Sequence, residues 1–246
     1  MRGAFRVKAD PMDLCIVEQQ SDAPAGLLEE WAIARGHRVV TLRAEELGAG
    51  PWPDPTRYGA IAPLGAEQSV ERSPDRWIAP QVAFLREAHE RGVPVLGLCF
   101  GGQALAAALG GAVRRAAEPE IGWLELESLN GGAVAPGLWF AWHEDTFTLP
   151  PGARELARSA AFPHAFRLGC SVGLQFHPEV TPAIVAGWIR DGRDTLAARR
   201  LDGDAINAQT RDGADAHRAR SFALFDAIAA RWTDDRRTDV QSGEGG

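Results

Sequence analysis

Hydrophobic positions along the chain switch between two periods. "LCIVEQ" (14–19) is a short apolar run of the kind a buried strand shows. In the following "SDAPAGLLEEWAIARG" (21–36), Leu27, Leu28, Trp31, Ala32 and Ala34 recur at helical spacing and Gly36 offers a C-cap. "HRVVTLRA" (37–44) returns to strand, and strand–helix–strand is the signature of a parallel sheet. After a Pro-rich loop (50–55), "YGAIAPLGA" (58–66) predicts a third strand ending in a glycine turn. "PQVAFLREAHERG" (80–92) is amphipathic, "VPVLGL" (93–98) is apolar throughout, and "GQALAAALGG" (102–111) is a small-residue helix able to pack closely on a sheet.

The pattern then changes. "GWLELESL" (122–129) alternates Trp123, Leu124, Leu126 and Leu129 with acids and predicts antiparallel strands or hairpins. Strand character broken by turns continues through 137–153 and 164–180. The last third is helical, clearest in "SFALFDAIAARW" (221–232). We expect a short leader (1–13), one α/β domain (14–233) and a disordered tail (234–246).

Composition narrows the function. The chain has 246 residues, ordinary hydrophobic content and a formal net charge of -7, which argues against a nucleic-acid or anionic-membrane surface. The Arg pairs at 114–115, 199–200 and 236–237 read as solvated faces. No apolar run approaches a bilayer span and the N-terminus lacks a signal-peptide core, so a cytoplasmic location is expected. Of the three cysteines, Cys15, Cys99 and Cys170, none sits in a C-x-x-C pair. Neither a disulfide framework nor a zinc site is expected.

Cys99 carries the candidate chemistry. Gly97-Leu98-Cys99-Phe100-Gly101 has the form G-x-nucleophile-x-G, and between a buried strand and a helix that spacing makes a tight elbow. The helix N-terminus beyond it favours the thiolate, the attacking form. A buried core cysteine also fits Cys99 taken alone. A dinucleotide-binding turn fits poorly, because Cys99 takes a glycine position, and no Gly-Lys-Ser/Thr follows for a phosphate-binding loop. A thiol nucleophile needs a base and the base an orienting group. His37, His89 and His217 read as surface or polar-helix residues. His177 differs: it ends the apolar run in "GLQFHPEV", with Glu179 two residues on, and both Cys99 and His177 fall at predicted strand ends, where functional groups of parallel sheets gather.

"GLCFGGQ" (97–103) with "HPE" (177–179) resembles the class I glutamine amidotransferase family, and "PLGAEQSV", "PEIGW" and "WHEDTFTLPPGA" resemble its stand-alone branch related to the glutaminase half of GMP synthetase. The resemblance runs from about Leu14 to about Trp188. It implies a flavodoxin-like three-layer α/β sandwich: a mostly parallel sheet, helices on both faces, a small antiparallel section. It implies a triad in which Cys99 attacks the glutamine amide, forming a glutamyl thioester, His177 moves the protons and Glu179 orients His177. It also implies oxyanion donors at Phe100 and in the loop near Gly65 and Ala66, substrate contact by Gln103, and a place at the site for His143. No cofactor is implied. The expected partners are glutamine or a γ-glutamyl compound and an ammonia-acceptor enzyme in trans, since no ATP-binding synthetase domain follows.

The branch's oxyanion loop usually reads Gly-Gly-Pro, whereas here it is Gly65-Ala66-Glu67. Alanine disfavours positive φ, so a differently shaped loop is expected, and Glu67 brings a carboxylate near a site that must stabilise an anion. Two other functions therefore stay open: a γ-glutamyl hydrolase acting on amines or peptides, and a binding or regulatory module of the same fold. Trp52, Trp77 and Trp139 look exposed enough to mark an interface, though core or rim packing fits each of them better.

Overall fold

The computed structural model describes residues 11–130 and 132–243. Nine strands and eight α-helices alternate along them. The first half supplies β1 (Asp13–Glu18), α1 (Gly26–Ala34), β2 (Arg38–Arg43), α2 (Ala44–Leu47), β3 (Ala60–Pro63), α3 (Ile78–Glu90), β4 (Leu96–Leu98) and α4 (Phe100–Ala108). There follow β5 (Val113–Ser128), β6 (Gly137–Phe147), β7 (Arg154–Arg158), β8 (Pro163–Leu168) and β9 (Ser171–Leu174). The chain then turns helical in α5 (Pro182–Asp191), α6 (Arg193–Ala198), α7 (Gly203–Asp212) and α8 (Ala214–Gly243).

β2, β1 and β3 pair in parallel, and β4 pairs in parallel with β9. A parallel bridge between Ile61 and Val95 joins the two groups. Beyond β9 the sheet turns antiparallel through β8, β7, β5 and β6. The antiparallel section is thus larger than the sequence pattern implied. It includes β7, whose "RELAR" hides its alternation behind charges at both ends.

β1 shows why helices cover both faces. Leu14 and Ile16 point to one side and pack with Leu28 and Trp31 of α1 and with Leu224, Phe225 and Ile228 of α8. Cys15 and Val17 point to the other and join Phe84, Leu85 and Ala88 of α3 and Phe100 and Leu105 of α4. Period-2 alternation of apolar residues on both faces requires cover on both faces. The result is the expected three-layer α/β sandwich. Trp77 and Trp139 are buried in these layers, and Trp52 is partly buried against Phe84 at the rim, so the three tryptophans do not form an exposed patch.

Other sequence-based expectations change. His37 and His217 are buried rather than exposed; His37 lies against Trp31, and His217 sits edge-on to Trp123 and Trp139. His89 is half-buried and bonded to Ser171. The neighbours of His89 and His217 come from distant segments, whereas Trp31 beside His37 belongs to the helix just upstream. Of the expected leader, residues 1–10 lie outside the described residues. Helix α8 continues through the expected tail as far as Gly243, and 244–246 lie outside.

Candidate active site at the strand ends

The last turns of β3, β4 and β9 converge on one cavity of about 360 Å³ that Gly65, Cys99, Gln103, His143 and His177 help to line. Cys99 sits between β4 and α4 with φ 49°, one of three non-glycine residues with positive φ among the described residues. An L-residue held there is strained, and such strain clusters at functional sites. The glycines around it show what enforces the turn. A Cβ on Gly97 would lie 2.4 Å from the Gly101 carbonyl, one on Gly101 2.0 Å from that of Pro63, and one on Gly102 2.4 Å from that of Leu174. The Cys99 amide donates to Leu174 and that of Gly101 to Leu64, which ties the elbow to both neighbouring strands. The crowding read from the glycine spacing is therefore real, and it holds the thiol at the mouth of α4.

His177 follows β9. Its amide donates to the Phe140 carbonyl, its Nδ1 lies 2.6 Å from Glu179 Oε1, and its ring stands edge-on to Trp188 at 4.8 Å. His177 and Glu179 are both buried. Burial pushes the imidazole pKa down, but the Glu179 carboxylate and the nearby Cys99 outweigh it and hold His177 well above the ordinary histidine value. With Nδ1 taken by Glu179, His177 Nε2 has no hydrogen-bond partner among the described residues. A Cβ on Gly65 would lie 3.0 Å from His177 Cε1 and 3.7 Å from Cys99 Cβ, so this glycine sits where the two side chains face each other.

The Gly65-Ala66-Glu67 loop respects the backbone preference of alanine. Ala66 does not have positive φ, so the missing glycine costs nothing here. Glu67 is exposed, and its amide is bound by the Gln20 side-chain carbonyl. Phe100 supplies the first amide of α4. Gln103 is buried, donating through Nε2 to the Asp145 carbonyl at 2.9 Å and approaching Gln175 Oε1 at 3.3 Å. His143 reaches the cavity wall, yet both its ring nitrogens are engaged elsewhere: Nδ1 by the Asp145 carbonyl and Nε2 by Glu120.

Several contributors escaped the sequence reading. Gln175, fully buried, points Nε2 at Cys99 Sγ from 3.8 Å. Its signal was a lone polar residue inside the apolar run before His177. Arg72 and Ser69 both bond the Asp145 carboxylate, at 2.7 and 2.6 Å, latching the loop after β3 onto β6. Trp188 donates to the Asp22 carbonyl and closes one wall.

Residues 71–185 match the family described as glutamine amidotransferase class-I. The chain is 44% identical over 173 residues to a GMP synthase [glutamine-hydrolyzing] from Aeropyrum pernix, a match covering 65% of this chain and 33% of that protein. It is 38% identical over 128 residues to the enzyme of the same name from Nitrosomonas eutropha, covering 46% and 24%. The match thus spans a quarter to a third of the length of these relatives. Among solved structures, a glutamine amidotransferase from Thermotoga maritima superposes with TM-score 0.79 at 23% identity, covering 88% of this chain and 97% of the other. One from Methylobacillus flagellatus gives 0.79 at 24%, covering 92% and 96%. Over residues 71–185 in sequence, and over most of its length in fold, the chain is similar to class I glutamine amidotransferases.

Proposed function

We propose that this chain hydrolyses the side-chain amide of glutamine through Cys99, His177 and Glu179 and releases ammonia for an acceptor enzyme in trans. The observation that carries the reading is the junction of a thiol on a strained residue at the start of α4 and a buried imidazole. The imidazole's far nitrogen is held by Glu179, and its near nitrogen has no hydrogen-bond partner among the described residues. Cys99 Sγ attacks the amide carbon and forms the thioester; His177 takes the thiol proton and delivers it to the leaving ammonia. It then activates the water that frees glutamate and regenerates the thiol. Glu179 keeps the imidazole in one tautomer. The amides of Phe100 and of the Gly65-Ala66 turn stabilise the oxyanion, an effect worth about 10²–10³ in rate per donor. Gln103 helps to shape the pocket around the substrate.

A γ-glutamyl amine as substrate is the second reading. Asp22 and Glu67 line the cavity beside Glu144 and Asp191, which are paired with arginines, and the carboxylates of Asp22 and Glu67 suit a leaving group that carries positive charge.

The test is exposure of the wild type and of Cys99→Ala to 6-diazo-5-oxo-norleucine, read by intact mass, followed by glutamate release from glutamine and from a panel of γ-glutamyl amines. One adduct on the wild type and none on the variant, with glutamine turned over faster, is the expected outcome. Preference for the amines moves the second reading ahead. An unlabelled wild type that releases no glutamate from any of them overturns both and leaves a binding module.

A further inference from the structure

Behind the cavity, three side chains that the proposed chemistry does not use meet at one point. Glu120 on β5 and His143 on β6 are directly opposed across the strand pair, and His164 on β8 closes the group. Glu120 Oε2 lies 3.1 Å from His143 Nε2 and 2.7 Å from His164 Nε2. Both imidazoles are buried, whereas Glu120 keeps an exposed edge, its side chain 14% accessible.

Hydrogen-bond accounting shows what such a cluster can hold. His143 Nδ1 is 2.9 Å from the Asp145 carbonyl, a group that only accepts, so that nitrogen carries the hydrogen. In the neutral ring, Nε2 then aims a lone pair at a carboxylate oxygen. That contact is attractive only with a second proton on the ring or with a cation between the two atoms. Fixing the outer N–H of an imidazole on a backbone carbonyl is how proteins orient a metal-binding histidine. His164 Nδ1 has no partner among the described residues, so nothing prevents its Nε2 from being the bare nitrogen. Two imidazoles and one carboxylate form a zinc-type donor set, and tetrahedral bonds of about 2.0–2.2 Å set donor atoms about 3.3–3.6 Å apart. The donor atoms here all lie within 4.8 Å of one another, and an ion would spread Glu120 from His143 and, by more, from His164.

We propose that Glu120, His143 and His164 bind a divalent transition-metal cation of the zinc class, with water completing the coordination on the exposed side of Glu120. The ion fastens β5, β6 and β8 together. The Asp145 carbonyl that orients His143 also accepts from Gln103 on α4, so the same ion steadies the helix that carries Cys99. This inference does not depend on the glutaminase reading.

The test uses tag-free, chelator-stripped protein carrying Cys99→Ala, which removes the thiol of the cavity as a competing ligand. Titration with Co²⁺ is expected to saturate at a single equivalent, with visible ligand-field absorption of a four- or five-coordinate ion that Zn²⁺ displaces. Zn²⁺ is expected to raise Tm, and His164→Gln to abolish both responses. No saturable binding up to about 1 mM Co²⁺, or binding unaltered by His164→Gln, overturns the proposal. If His164→Gln does not fold, Glu120→Gln takes its place, and the parent protein's failure to bind is decisive by itself.

Discussion

At the scale of single residues, the electrostatics of His177 are the most exposed to test. Burial alone disfavours its charged form, and Glu179 reverses the balance. Replacing Glu179 with Gln leaves burial in place and removes the main opposing charge. We therefore predict that the His177 titration midpoint falls in Glu179→Gln, read from ¹⁵N-labelled imidazole by NMR. Turnover should fall about 10²–10⁴-fold, the usual worth of a positioned acid–base group; an unmoved midpoint would detach Glu179 from the role given to it. The thiols separate in the same way. Cys15 is buried in the sheet and its pKa is pushed up to about 12, so it is inert at neutral pH. Iodoacetamide applied to the folded protein is expected to spare Cys15 and to take Cys99, with peptide mapping as the check.

The residues that could be read from the sequence are those whose chemistry is local. Cys99 announced itself because its glycines lie within three positions, and Glu179 because it is two from His177. The Glu120–His143–His164 group gave no such signal, since the histidines stand 23 and 44 positions from Glu120 and meet only because β5 and β6 pair and β8 packs nearby. His217 was misread for a related reason: the rings that bury it belong to β5 and β6.

At the scale of elements, the start of α1 is a positioning device. Gly26 has φ 46°, and a Cβ there would lie 2.3 Å from the Glu179 carbonyl and 2.7 Å from Ile184 Cδ1; the Leu27 amide donates to that same carbonyl. Gly26→Ala must push the 179–180 segment away. We expect a loss of about 1–3 kcal/mol in stability, as for other overpacked sites, and a fall in kcat of about 10–100-fold from a displaced Glu179, with KM nearly unchanged. Denaturant titration beside steady-state kinetics checks both. Strand and helix were legible where an apolar run or a single apolar face marks the element, as in β1 and α3 respectively. These marks failed in β7, whose core contact reduces to Leu156 and Ala157 between charged ends, and in the first half of β5, where a bulge between Arg115 and Glu120 breaks the alternation.

At the scale of the whole molecule, two buried histidines tilt stability in opposite directions with pH. His217 is pushed down to about 4, chiefly by burial and then by Arg220. A base depressed in the fold contributes stability above its unfolded value near 6.5 and loses it as pH falls toward 4. His177, raised in the fold, contributes below 6.5 and loses its share as pH climbs through the raised value. His217→Leu is therefore expected to flatten the fall in Tm between pH 6.5 and 4, whatever it does to Tm at neutral pH. An unchanged slope would remove His217 from the acid response.

The order of strands in the sheet carries a consequence for how the protein is made. β9 lies beside β4, yet the ribosome delivers it only after every other strand. Until residues near 179 emerge, Cys99 lacks the base proposed for it, and β4 presents an unpaired apolar edge where β9 will dock. A nascent or truncated chain is thus chemically silent and at its most adhesive at the same time, and docking of the final strand ends both conditions in one step.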